Sequence, residues 1–228
     1  MSVGAGTQGG LERADLSTRR QRSLVDGSTT KADIWITTLP DGTEAVVKDF
    51  ARKPFWIRPW GRLQIARETA FLERLAGITG IPRLIGRLDA DGLVTEYIPG
   101  KALFLCRKRE PREHYLHQLR EILAAVHAHG IVHNDLRGRE NVHVADSTDR
   151  VYLLDWAGAV RLAPGSWLHR LLFHRWRAVD DAAVLKWKMI LIPEELSSDE
   201  RQFLERFLFW RRLWPVNRKG TGRAGAVR

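Results

Sequence analysis

Short runs of alternating apolar and polar residues fill the first part of the chain, and helical spacing takes over further on. Leu24-Val25, Ile34-Trp35-Ile36-Thr37 and Ala45-Val46-Val47 read as three successive strands with polar turns between them. From Gly61 to Leu75 the period changes, and Ile65, Phe71, Leu72 and Leu75 fall on one stripe of a helix. A hairpin follows, Ile81 to Gly86 and Leu93 to Ile98 about the turn Asp89-Ala90-Asp91-Gly92, and Pro99-Gly100 stops its second strand. Arg112 to His129 predicts a further helix, with Leu116, Leu119, Leu123 and Val126 on its apolar stripe and Gly130 as its stop. Val142-His143-Val144 and Val151 to Leu154 then form a last hairpin. Strands gathered early and helices later define an α+β chain.

Against this pattern a few polar positions stand out. Glu68 lies on the same stripe as Ile65, Phe71 and Leu72, where a carboxylate is costly unless it is paired. Lys48, at the end of the third strand, is its natural partner; Glu73 points elsewhere and is read as solvated. In His133-Asn134-Asp135-Leu136, Asp135 is a carboxylate able to take the proton of an attacking hydroxyl. Asn141 and Asp155 offer hard oxygen atoms to Mg²⁺, and the hairpin between them brings its two outer ends close in space. His127, His129, His133 and His143 match no zinc spacing, and His133 is read as a brace for the loop that holds Asp135.

Composition adds bounds. The 228 residues suffice for one domain with two lobes, with loose ends over 1–15 and 217–228. Cys106 is the only cysteine, which excludes an intramolecular disulfide; with no apolar leader and no run of membrane-span length, a cytoplasmic protein is expected. The formal net charge is +10, nine residues are Trp, and basic and aromatic residues cluster. These clusters are Arg52 to Arg62, Trp167 to Arg177 and Phe207 to Lys219. Such mixtures suit peripheral contact with an anionic membrane; nucleic acid is the less favoured partner, and a solvated surface with Trp in the core accounts for each cluster equally well. Oligomeric state is not legible here.

Taken together, Val46-Val47-Lys48-Asp49-Phe50, Arg62 to Leu75, Glu96-Tyr97-Ile98-Pro99-Gly100, His133 to Val144 and Leu154-Asp155-Trp156 resemble the protein-kinase-like superfamily. The likeness is to the bacterial lipopolysaccharide-kinase group, the heptose and Kdo kinases, which is related to RIO-type kinases. It implies a two-lobed fold: an N-lobe over 16–98, made of an antiparallel sheet and one helix, and a reduced, mainly helical C-lobe over 99–216. It also implies ATP and Mg²⁺ between the lobes and a sugar or lipid-linked sugar as substrate, at the inner membrane face. Carried over by position, Lys48 holds phosphates, Glu68 orients Lys48, Asp135 is the base, and Asn141 and Asp155 bind metal. Val25, Gly27, Ser28 and Lys31 stand where kinases cover the phosphates, although Asp26 to Lys31 reads equally well as a plain hairpin turn. The Glu96 carbonyl and Ile98 N–H stand at the adenine hinge, and Leu154 below the base.

Three departures accompany the likeness. The catalytic loop is one residue longer than usual, so Glu140 takes the Asn position by count; Asn141 is preferred because a strand starts straight after it and Gly138 can absorb the insertion. Asp155-Trp156-Ala157 replaces Asp-Phe-Gly, and no Ala-Pro-Glu segment follows. The missing segment shifts the expected acceptor from protein toward sugar; a RIO-like protein serine/threonine kinase and an inactive kinase-like binding module are the alternatives. Asp180-Asp181 reads either as a brace for the catalytic loop or as a solvated helix start.

Overall fold

The computed structural model describes residues 11–25, 27–107 and 111–212, with side chains described as far as 206. Five strands, β1 (Arg20–Val25), β2 (Asp33–Thr38), β3 (Glu44–Asp49), β4 (Leu84–Arg87) and β5 (Gly92–Glu96), form one antiparallel sheet in the order β1-β2-β3-β5-β4. Strand alternation sends Ala45 and Val47 of β3 to one face of the sheet and Lys48 to the other.

Each face has its own helix. On the Ala45 face, α1 (Arg13–Thr18) buries Leu16 among Trp35, Leu39, Val47 and Val94, and Arg13 bonds Asp49 and Asp89. On the Lys48 face, α2 (Arg58–Arg74) packs Ile65 against Phe50 and Leu93. Gly61 permits this approach, because a Cβ there would overlap the Phe50 ring. The expected tail over 1–15 therefore ends too late, and the N-lobe carries a second helix that the sequence pattern did not reveal. Six residues with one apolar contact point show no periodicity; long-range burial of Leu16 makes this helix.

The turn at Asp89–Gly92 also does more than reverse the chain. Asp91 is buried and accepts hydrogen bonds from Arg58 and Arg62, which pin the first turns of α2 to the β4–β5 hairpin. The Arg62 hydrogen bonds outweigh burial and, with Arg58, hold the Asp91 carboxyl down at about 2. A carboxyl depressed in the fold stabilises it above the unfolded value of about 3.9, and that contribution is lost as pH falls through the folded value. Asp91→Asn is expected to cost roughly 1–2 kcal/mol at neutral pH, the partial exposure of the guanidinia keeping the figure low. It should also flatten the fall in melting temperature below about pH 4; acid melting curves parallel to wild type would contradict this.

After β5 the chain crosses into the second lobe. There β6 (Gly100–Ala102), β8 (Val142–Ala145) and β9 (Val151–Leu153) form a three-stranded sheet, and β7 (Ile131–Val132) pairs with β10 (Val160–Arg161). Helices α3 (Arg112–Ala128), α4 (Trp167–Leu191) and α5 (Ser198–Arg212) complete it. One apolar core runs from Leu116, Leu119 and Leu123 of α3 through Leu153 and Trp156 to Trp187 of α4, and takes in Phe71 and Leu72 of α2 and Leu75 at its C-terminal end. This is the expected two-lobed, kinase-like α+β architecture, with a C-lobe of three helices among the described residues. The basic stretch that begins at Phe207 and the tail over 217–228 lie outside the described side chains.

Candidate active site

Lys48 projects from β3 toward α2, where its Nζ lies 2.6 Å from Glu68 Oε2 and 3.0 Å from Asp155 Oδ1. Three elements thus meet at one ammonium: a sheet strand, the helix on its face and the loop after β9. Burial alone would lower the pKa of Lys48, but the charges of Glu68 and then Asp155 outweigh it and keep the amine protonated well above the ordinary lysine range. Burial pushes the Glu68 carboxyl up against the pull of Lys48. At Asp155 burial acts the same way, yet the charge and hydrogen bond of Lys48 prevail and hold its carboxyl below the usual range. A charged Lys48 shared between two carboxylates is poised to exchange one of them for phosphate oxygens.

Below it lies the loop after β7. The Asn141 amide donates to the Asp135 carbonyl at 2.7 Å, closing the loop on itself and leaving Asn141 Oδ1 for other use. Leu154 N–H donates to the Asn141 carbonyl at the mouth of the β8–β9 hairpin, so Asn141 and Asp155 stand side by side as the hairpin pattern implied. A Cβ at Gly138 would meet the Asn141 side chain at ordinary contact distance, whereas Glu140 faces solvent. The amide, and not the acid one position earlier, is therefore the one turned to the loop. Asn134 and Asp155 both hold left-handed backbone, with φ of 66° and 61°. For non-glycine residues such conformations persist only where surrounding contacts impose them, and they cluster at functional sites.

For Asn134 those contacts come from α4. Asp180 is completely buried in mid-helix, and its carboxylate accepts from the N–H groups of His133 and Asn134 at 2.8 and 2.9 Å and pairs with His127 Nε2 at 3.0 Å. Two turns on, Trp187 Nε1 donates to the Leu136 carbonyl and Lys186 Nζ to the Arg137 carbonyl. Asp180 is thus the brace and not a solvated helix start, because α4 begins far upstream at Trp167. His133 does brace the region: Nε2 donates to the Leu154 carbonyl and the ring packs on Trp156, centroids 4.4 Å apart. Burial lowers its pKa and keeps the ring neutral.

Trp156, in the place of the usual Phe, is buried with its indole N–H on the Leu153 carbonyl. Arg67, next to Glu68, reaches across to the Ala159 carbonyl at 2.6 Å and so ties α2 to the loop after Asp155. Sequence reasoning passed over Arg67, Lys186 and Trp187; their only signal was position beside Glu68 or two α4 turns from Asp180.

The proposed nucleotide cover behaves differently. Val25 ends β1 with its side chain exposed, and Ser28 and Lys31 are exposed in the turn that follows; Asp26 lies outside the described residues. Gly27 donates its N–H to Asp33 Oδ1, and its carbonyl accepts from Lys53 Nζ, which also bonds Asp33. A Cβ at Gly27 would collide with the Lys31 and Ala32 carbonyls, so glycine is needed for the turn itself. With its N–H directed at Asp33, Gly27 offers a phosphate no donor in this conformation; Ser28 and Lys31 keep theirs on the solvent side. At the other wall, Glu96 closes β5 against Ala45 and buried Ile98 leads into β6, forming the link between lobes. Leu154, directly after β9, is half-buried.

An ATP phosphate chain and Mg²⁺ fit this donor set. One amide oxygen and one carboxylate are hard ligands, and Mg²⁺ commonly takes its remaining ligands from phosphate and water. A paired lysine above them suits the α- and β-phosphates, and a carboxylate held by a braced loop suits an incoming hydroxyl.

Fold and site together define a kinase-like phosphotransferase. Residues 46–172, more than half the chain, match the model of the RIO domain family, and the protein belongs to that family. Among curated proteins none matches it. RIO domains are kinase-like, use ATP and a divalent metal, and include some inactive members.

Proposed function

We propose that this protein is an active ATP- and Mg²⁺-dependent kinase whose acceptor is a hydroxyl of a lipid-linked sugar, with heptose or Kdo of a lipopolysaccharide core as the class. Asp135 receives the hydroxyl proton as the new oxygen–phosphorus bond forms and the bond from the γ-phosphorus to the bridging oxygen breaks, leaving ADP. Lys48, kept charged by Glu68, holds the phosphates in line, and Mg²⁺ at Asn141 and Asp155 would neutralise their charge.

One observation carries the choice of acceptor. Between Asp155 and the start of α4 the chain makes only a short turn and β10, and β10 is pinned along β7, with Leu162 N–H on the Gly130 carbonyl. That connection offers no extended platform along which a peptide could lie, and a compact acceptor suits the space better. The RIO-domain match and the net charge of +10 favour a second reading, a protein serine/threonine kinase in a nucleic-acid setting.

Incubating the protein with γ-labelled ATP and whole-cell extract, then separating lipid-linked and protein fractions, distinguishes the two. Label is expected in the glycolipid fraction. Label confined to protein would establish the second reading, and nucleotide binding with no transfer to either fraction would mark an inactive module.

A further inference from the structure

Three aromatic side chains sit on the outside of the N-lobe, largely uncovered by the described residues. Phe55, Trp56 and Trp60 are 78%, 64% and 59% exposed, and Leu63 joins them at 49%. Trp60 and Leu63 lie on α2 away from its buried stripe of Gly61, Ile65, Glu68 and Leu72, and Trp56 precedes Trp60 by four residues in the turn that leads into the helix. The ledge is held firmly. Phe55 and Trp56 meet edge to face, the backbone turns through Ile57 N–H to the Pro54 carbonyl, and Lys53 anchors the stretch to Gly27 and Asp33. Leaving such large apolar groups in water is unfavourable unless a partner covers them.

The charges beside them indicate which partner. Arg52 is exposed, and in the same stretch the partly exposed Arg58 and Arg62 share the one buried carboxylate of Asp91, two positive charges against one negative. We propose that this outer face of α2 and its preceding turn docks the protein peripherally on an anionic lipid surface. Trp and Phe would sit at headgroup depth, and the guanidinia would meet the headgroup charge. Nucleic acid suits the face less well, since Leu63 and Pro59 offer bases no ring to stack on. A second copy of the chain, meeting the face about a two-fold axis, would set arginine against arginine. No described helix is long and apolar enough to cross a membrane. The docked face lies back to back with Glu68, which would hold the cleft at the membrane surface. This inference stands whatever the acceptor is.

The test is flotation of the full chain with vesicles of phosphatidylcholine alone or mixed with phosphatidylglycerol. The protein is expected to float with the anionic vesicles and to lose about tenfold or more of that binding in the Phe55→Ser, Trp56→Ser, Trp60→Ser variant, with nucleotide binding and melting temperature unchanged. In the milder Trp56→Phe, Trp60→Phe variant, flotation should persist while quenching of tryptophan fluorescence by brominated lipid falls. Equal flotation of the serine variant, absence of flotation with either vesicle, or unchanged quenching in the phenylalanine variant would overturn the proposal. So would a serine variant that loses binding to single-stranded RNA or loses self-association in place of lipid binding. None of these readouts involves ATP turnover, so failure here and failure of the sugar-kinase reading are separable.

Discussion

Asp135→Ala is expected to lower phosphate transfer by about 10²- to 10⁴-fold, the usual contribution of a positioned general base, while nucleotide binding stays near wild type. The reasoning rests on how the side chain is held. The adjoining Leu136 is buried, the Asn141 amide fixes the Asp135 carbonyl, and Gly158 leaves only contact-distance room for a Cβ against that of Asp135. Lys48, Glu68 and Asp155 meet one another without it, so the phosphate-binding group should survive the substitution. Asp155→Ala should differ: transfer falls and Mg²⁺-dependent nucleotide binding falls with it. Label moved from γ-labelled ATP to acceptor, with nucleotide affinity from titration calorimetry, separates the two effects. Full transfer by Asp135→Ala would remove Asp135 from the chemistry.

Asp180→Ala should be the most damaging change outside the cleft. A buried carboxylate is lost, and the N–H groups of His133 and Asn134 are left without their acceptor in a dry interior. The expected cost is roughly 2–5 kcal/mol, enough to lower the melting temperature by about 5–15 °C in a chain of this size. Asn134 would then lack the contact that holds its left-handed backbone, and transfer should fall with stability. Asp180→Asn keeps the shape and one acceptor oxygen, so its loss should be smaller. Thermal melting of both variants checks this; an Asp180→Ala protein that melts with wild type would show that α4 does not brace the loop.

The parts of the molecule visible in the sequence are those whose physics is local. The β8–β9 hairpin is an alternating pattern with a polar turn, so the closeness of Asn141 and Asp155 followed from strand pairing alone. Glu68 betrayed its partner because a carboxylate on an apolar stripe needs one, and Lys48 was the cation at the end of a neighbouring strand. What stayed hidden depends on distant contacts. α1 exists through Leu16 and Arg13, whose partners Trp35, Asp49 and Asp89 lie in other elements. Asp91 looked like an ordinary turn residue until Arg58 and Arg62 folded back on it. The length of α4 was obscured because Trp167, Leu168 and Leu171 face solvent at its start, breaking the apolar stripe that marks a packed helix. That misplaced helix start is why Asp180 read as ambiguous.

The central claim is that Lys48, Glu68, Asp135, Asn141 and Asp155 form one site for a metal-bound triphosphate. Calorimetric titration of ATP with and without Mg²⁺, in wild type, Asn141→Ala and Asp155→Ala, tests it most directly. Mg²⁺ should tighten ATP binding by wild type and give little or no gain in either variant. An equal gain in all three proteins would contradict the claim, since the metal would then be held elsewhere.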